Sequence, residues 1–233
     1  MDNPLMTLKN EGLDKTLAHL KQVAVDTNKE LAELLGIPVA AAITCVKPSG
    51  TVSQLCDTAS GIHTRHSSYY IRRVRGDKKD PLTNFLKEAG IPTEDCVMKP
   101  DTTSVFSFPV KSPDGARTRD NLTAIQHLEL WLMYQKHWCE HKPSVTISVK
   151  EEEWLDVGAF VWKNFDDISG ISFLPYDGGT YRQAPYEECT KELYEDMSLS
   201  MPKEIFWDRL IEEDDNVKGV QELACSSGNC EIQ

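Results

Sequence analysis

Helical and strand-like patterns alternate along this chain, and that alternation restricts its fold more than any other feature. Apolar side chains at Leu13, Leu17, Leu20, Leu31, Leu34 and Leu35 repeat with the period of a helix face. Gly36 and Pro38 then end the helix in the order expected of a C-terminus. The short apolar run "VAAAITCV" reads as a buried strand, and "SYYIRRV" as another. "DPLTNFLKEAGIP" predicts a short helix with Asp80 as N-cap, Pro81 at the first helical position and Gly90 just past the end. "TSVFSFPV" is strand-like, with Pro109 marking its end or an edge. Leu122, Ile125, Leu128, Trp131 and Leu132 fall at helical spacing between 120 and 138, and Val145, Ile147 and Val149 share one strand face in "SVTISV". A helix from Glu151 to Asn164 and a strand, "ISGISFLP", follow, with two weaker helices around 186 to 197 and 202 to 212. Strand–helix–strand order predicts an α/β fold with crossover helices. Five strands are few for a closed barrel, so the sheet is open or belongs to something larger.

Bulk properties narrow the function. The 233 residues suffice for one sizeable core. A formal net charge of -12 excludes a nucleic-acid-wrapping surface, which needs a basic stripe, but leaves room for one small phosphorylated ligand on a loop. No apolar run approaches the roughly 20 residues that cross a bilayer, and "MDNPLMTLKNEG" does not read as a secretory signal. Seven irregularly spaced cysteines do not resemble a secreted disulfide scaffold, so the expected setting is a reducing cytoplasm.

Two stretches stand out. In "TCVKPSGTVSQL", Lys47, Pro48, Ser49, Gly50, Thr51, Val52 and Ser53 form a polar loop. Gly50 permits close backbone approach, and the amides and hydroxyls of Ser49, Thr51 and Ser53 are suited to phosphate oxygens. An ordinary capped turn explains the same residues, and the spacing is not that of a Walker loop. At the other end, "ELACSSGNCEIQ" sets Cys225 and Cys230 in an aperiodic, acidic tail from 213 to 233, expected to be flexible. Such a pair closes into a disulfide and reopens by thiol exchange, or is an incidental pair of thiols. "GIHTRHSSYYIRRVRG" offers His63 and His66 as weak metal candidates, and Arg72, Arg73 and Arg75 as either anion binders or a solvated strand edge. "SFLPYDGGTYRQAPYEE" places Gly178 and Gly179 in a loop after a strand, where α/β folds often bind ligands. His127, His137, Cys139 and Trp131 read as core or surface residues of their helix.

Taken in order, "VKPSGTVSQL", "GIHTRHSSYYIRRVR", "SVTISVKEEEW", "ISGISFLPYDGGTYRQAPYEE" and "CSSGNC" resemble the ribonucleotide reductases, and within them the class II, adenosylcobalamin-dependent ribonucleoside-triphosphate reductases. The likeness covers nearly the whole chain, as the C-terminal part of a longer family member. It implies that residues 1 to 212 are part of the family's ten-stranded α/β barrel. It implies that Pro48, Ser49, Gly50, Thr51, Val52 and Ser53 are the substrate-phosphate loop. It also implies that Cys225 and Cys230 are the tail dithiol that reduces an active-site disulfide and is recharged by thioredoxin or a similar reductant. The implied cofactor is adenosylcobalamin, with no contact residue assignable.

The chain also departs from that pattern. The family's radical-cysteine loop, of the Asn-Pro-Cys-Gly-Glu type, is absent, and Cys45, Cys56, Cys96, Cys139 and Cys189 sit in other contexts. The resemblance therefore implies a partner, an N-terminal half carrying the radical cysteine, as in a split-gene product. Three other readings stand beside it: a non-enzymatic dithiol donor, a fragment of a class I large subunit, and a glycyl-radical relative. For the last, "RVRG" at Arg73 to Gly76 lies too early in the chain.

Overall fold

The structure, a computed structural model, describes residues 1–176 and 182–211. Cys225, Cys230, Gly178, Gly179 and the expected tail lie outside the described residues. The elements in chain order are α1 (Leu13–Leu35), α2 (Val52–Leu55), β1 (Tyr69–Asp77), α3 (Pro81–Glu88), β2 (Thr93–Asp95), β3 (Thr103–Lys111), α4 (Ala124–His137), β4 (Thr146–Val149), α5 (Trp154–Lys163), β5 (Ser172–Pro175), β6 (Tyr186–Glu188) and α6 (Lys191–Ser200). The chain is α/β, and its described residues divide into two compact units, one of Met1–Arg65 with Asp114–Tyr176 and the other of His66–Pro113 with 182–211. No helix among the described residues is long and apolar enough to cross a membrane.

The first unit is built around α4. Thr123 caps it: its hydroxyl accepts from the Gln126 amide, and the Gln126 side chain accepts from the Thr123 amide, forming a capping box. Leu128, Leu130 and Trp131 are buried together with Leu13 and Leu17 of α1, and with Val145, Ile147 and Val149 at and beside β4. Strands β4 and β5 pair in parallel through the α5 crossover, with Ile147 opposite Phe173. This is the arrangement the alternating pattern predicts. Gly36 closes α1 at φ 65°, its amide bonding back to Ala32 and Glu33.

The second unit has a different plan. Its four-stranded sheet runs β2-β3-β1-β6 and is antiparallel throughout. Asp80 caps α3 as expected, accepting from the Leu82 amide at 2.9 Å. Pro109 lies within β3 opposite Ile71, beyond the point where β2 stops at Thr93 opposite Phe106. The Ser107 amide points to the β2 side and bonds to Pro92. Two residues on, the proline nitrogen faces the same side, where no strand needs a donor.

Three expectations fail. "VAAAITCV" is not a strand: residues 37–50 have no regular structure, and Val39 is exposed. The Glu140 amide bonds to the Thr44 carbonyl and the Ser144 amide to the Val46 carbonyl, a spacing of two residues against four that cannot continue as a ladder. The helix expected from 186 begins with β6, which pairs with β1, and only then becomes α6, capped by Thr190. From 202 to 212, the described residues form a single 3-10 turn, Trp207–Arg209.

Candidate functional site

The candidate site is the polar loop that leads into α2, and it lies in the first unit. Ser49 is its hub, because all of its polar atoms are engaged. The Ser49 amide donates to the Ser60 hydroxyl at 2.7 Å, and that hydroxyl donates to the Ser49 carbonyl at 3.0 Å. The buried Ser53 hydroxyl donates to the same carbonyl at 2.7 Å, and the Ser53 amide donates to the Ser49 hydroxyl at 3.0 Å. Ser49 and Ser53 therefore turn inward and frame the loop. The amides of Gly50, Thr51 and Val52 and the hydroxyl of Thr51 have no hydrogen-bond partner among the described residues, while Pro48 offers no amide. Gly50, Thr51 and Val52 are exposed, so solvent and solutes reach this stretch.

A second layer holds the frame in place. His63 Nδ1 donates to the Ser60 carbonyl at 3.0 Å, and His63 Nε2 accepts from the Thr146 amide at 3.1 Å. That pairing fixes a neutral imidazole with its proton on Nδ1. Burial holds His63 below the usual imidazole range, against the pull of the Ser60 carbonyl. The Thr146 amide belongs to the first residue of β4, so the loop is tied to the parallel strand pair through one ring. Gly61, at φ 58°, lets the chain pass close beneath the loop: a Cβ there would lie 3.1 Å from the Lys47 carbonyl oxygen. The buried Arg65 holds the intervening turn, with Nη1 at 2.9 Å from Asp57, Nη2 at 2.8 Å from Asp2, and Nη2 donating to the Asp57 carbonyl. Asp2 in turn accepts from the Ala59 amide at 2.8 Å.

The other candidates have structural roles. His66 stacks on Tyr186, 5.6 Å between ring centres. Arg72 donates to the Tyr186 hydroxyl, Arg73 pairs with Glu187, and Arg75 donates to the Gln183 carbonyl, so these cations fasten β6 and its approach to the sheet. No group of three or more His, Cys, Asp or Glu side chains among the described residues is arranged to hold a metal ion. Trp131 and Cys139 are buried, and the imidazole of buried His127 is pushed down to about 4, with Nε2 against the Ile62 carbonyl at 2.7 Å. Ser60 and His63 as loop supports were not visible in the sequence. The cluster of small residues in "DTASGIH" marks a tight turn, but not the loop it clasps.

No family model matches the chain. Among curated proteins, the adenosylcobalamin-dependent ribonucleoside-triphosphate reductase of Euglena gracilis is 32% identical over 203 residues, covering 86% of this chain and 28% of that protein. The enzyme of the same description from Lactobacillus gasseri is 31% identical over 225 residues, 94% of this chain and 30% of that protein. A probable one from Dictyostelium discoideum is 31% identical over 213 residues, 89% and 27% respectively. A crystal structure of a B12-dependent, class II ribonucleotide reductase superposes with a TM-score of 0.74 at 28% identity, covering 84% of this chain and 28% of that one. By sequence and by fold, the chain is similar to one part of the adenosylcobalamin-dependent class II ribonucleotide reductases, and it spans about 30% of the length of the curated relatives it matches.

Proposed function

We propose that this chain is the C-terminal part of a class II ribonucleotide reductase. In this reading it works in a reducing cytoplasm and is completed by a separate polypeptide that carries the radical cysteine. The finished enzyme converts ribonucleoside triphosphates to deoxyribonucleotides. The observation that carries the reading is the loop from Pro48 to Ser53, where internal bonds leave the amides of Gly50, Thr51 and Val52 and the Thr51 hydroxyl without a partner among the described residues. Three consecutive unpartnered amides in a loop held by its own bonds suit the oxygens of a substrate phosphate. Ser49 and Ser53 contribute by fixing the loop, and Ser60 and His63 by fixing Ser49.

Cys225 and Cys230 have the second role. They carry electrons from thioredoxin or a similar reductant to an active-site disulfide supplied by the completed enzyme. Exchange through a mixed disulfide needs one thiol to attack and a second nearby to resolve, which a C-x4-C pair provides. The relatives' names support adenosylcobalamin as the radical source of the whole enzyme. One cavity of the first unit does not fit it. A cavity of about 260 Å3, lined by Met1, Leu8, Arg117, Leu122 and Leu130 among others, is far too small for a corrin with its side arms. No step of the chemistry is therefore assigned to the cofactor through these residues.

A donor module without enzymatic activity shares the dithiol but gives no use for the open amides. Hydrogen exchange separates the two. With the complementary polypeptide present, a ribonucleoside triphosphate slows exchange at Gly50, Thr51 and Val52 if they hold phosphate, and unchanged exchange there rules the loop out. In the same reconstituted enzyme, Cys225→Ser or Cys230→Ser abolishes multiple turnover driven by thioredoxin and spares turnover driven by dithiothreitol. Equal loss under both reductants contradicts the shuttle.

A further inference from the structure

A second pair of cysteines, distinct from the tail, lies where the irregular segment before the loop meets the end of α4. Backbone and side-chain bonds stitch these two stretches together. The Glu140 amide donates to the Thr44 carbonyl at 2.9 Å, the Glu140 carboxylate accepts from the Ile43 and Thr44 amides, and the Trp138 indole donates to the Cys45 carbonyl at 3.0 Å. That stitching brings the half-buried Cys45 beside His141. Its sulfur is 3.4 Å from His141 Nδ1, and its thiol also lies 3.5 Å from the Lys142 carbonyl, 3.6 Å from that of Val46 and 3.7 Å from that of His141. Cys139 stands between Trp138 and Glu140 on the same stitching, 7% exposed and part of the apolar cluster against which Cys45 packs. Burial pushes the Cys139 thiol up to about 12, and the charge of a nearby Cys45 thiolate would push it the same way.

These three side chains divide the work of a thiol oxidation. Cys45 has access to solvent and an imidazole nitrogen in contact, so its proton has somewhere to go. Cys139 has neither, but it lies between Trp138 and Glu140, the residues bonded to Cys45 and Thr44. We propose that Cys45 and Cys139 form an oxidisable pair in which Cys45 meets a hydroperoxide, His141 takes its proton, and Cys139 captures the product as an intrachain disulfide.

In the first step, the Cys45 sulfur attacks one peroxide oxygen. The S–O bond forms, the O–O bond breaks, and the departing hydroxide takes the proton held on His141 to leave as water. In the second step, the Cys139 sulfur attacks the Cys45 sulfenic sulfur. The S–S bond forms and the S–O bond breaks, and the leaving hydroxide takes the Cys139 proton, giving a second water. Two thiols lose two electrons and hydrogen peroxide gains them, so the reaction balances as one disulfide and two waters. The site touches the candidate loop through Lys47, two residues on, whose Nζ donates to the Lys142 carbonyl and to the Ser144 hydroxyl. It is nonetheless argued from its own contacts and does not depend on the loop binding phosphate.

The test uses the full chain with Cys225→Ser and Cys230→Ser, so that the tail does not report. After treatment with hydrogen peroxide and alkylation of the remaining thiols, peptide mass spectrometry should find Cys45 joined to Cys139, with the exposed Cys56 still alkylated. Cys139→Ser should stop the reaction at a Cys45 sulfenic acid that dimedone traps. His141→Gln should slow oxidation of Cys45 about fivefold or more while leaving Cys56 unchanged, and a circular dichroism spectrum like that of the parent excludes misfolding as the cause. Oxidation of Cys56 ahead of Cys45, pairing of Cys45 with another cysteine, or an unchanged Cys45 rate in His141→Gln would each overturn the proposal.

Discussion

Helix α4 and the surfaces of α1 and α5 are all rich in large apolar side chains, yet their fates differ sharply. On α4, Leu128 and Trp131 are completely buried, and the Trp131 indole donates to the Pro143 carbonyl at 3.0 Å. On α1, the apolar face starts in the same core at Leu13 and Leu17 but then runs out into solvent, with Leu34 79% exposed. On α5, Val157 is buried while Leu155 and Trp162 are 88% and 84% exposed. Helices α1 and α5 each pack on α4 yet leave several large apolar side chains uncovered, and exposed apolar faces of that kind mark surfaces built to be covered. The contrast teaches that helical periodicity reports that a face expects cover without saying what supplies it. Around α4 the chain covers itself. Along α1 and α5 the described residues do not, which accords with a chain that spans only 28% to 30% of its curated relatives.

That contrast can be broken by experiment. The largest expected effect is at its buried pole: Trp131→Ala should cost about 3–5 kcal/mol in urea unfolding, from lost burial, the cavity left behind and an orphaned Pro143 carbonyl. A loss below about 1 kcal/mol would mean α4 is not the core. Next comes pH. His127 titrates near 4 when folded and near 6.5 when unfolded, so the unfolded chain binds the extra proton in that interval. Stability is therefore full above 6.5 and falls as pH drops toward 4, by about 3 kcal/mol if this group acts alone. His63, also depressed, acts in the same direction. A denaturation midpoint that stays flat across that range would contradict neutral burial of both rings. Third, Ser60→Ala should cost about 1 kcal/mol through the two bonds to Ser49, and it should speed hydrogen exchange at the Ser49 amide far more than at α4. At the exposed pole, Trp162→Gln or Leu34→Ser should change stability of the chain by no more than about 0.5 kcal/mol. The same substitutions should weaken association with the complementary polypeptide. A large stability loss from either would show that the chain covers those faces itself.

Local signals carried much of the fold and little of the site. The limits of α1, the Asp80 and Pro81 start of α3 and the strand face of Val145, Ile147 and Val149 follow from periodicity and capping, which act over a few residues. Whether a run becomes a strand depends on finding a partner. "VAAAITCV" finds none among the described residues, whereas Tyr186–Glu188 finds β1 and leaves the helical pattern around it to begin at Lys191. Strand order was equally hidden, since only β4 and β5 follow the parallel crossover rule while the other sheet is antiparallel. In the site, the polar loop was legible because Gly50 and its hydroxyl neighbours are unusual after an apolar run. Its supports were not, because the Ser49–Ser60 and His63–Thr146 bonds join residues that only the fold brings together.

The most direct test of the central claim mixes this chain with a polypeptide carrying the part of the relatives' sequence that it does not span. Adenosylcobalamin, thioredoxin with its reductase, and a ribonucleoside triphosphate are added, and deoxyribonucleotide is assayed. Product from the mixture and none from either polypeptide alone is the result expected of a chain that lends its loop and its dithiol to a shared active site. Product from this chain by itself, or a well-associated mixture that forms none, would contradict it.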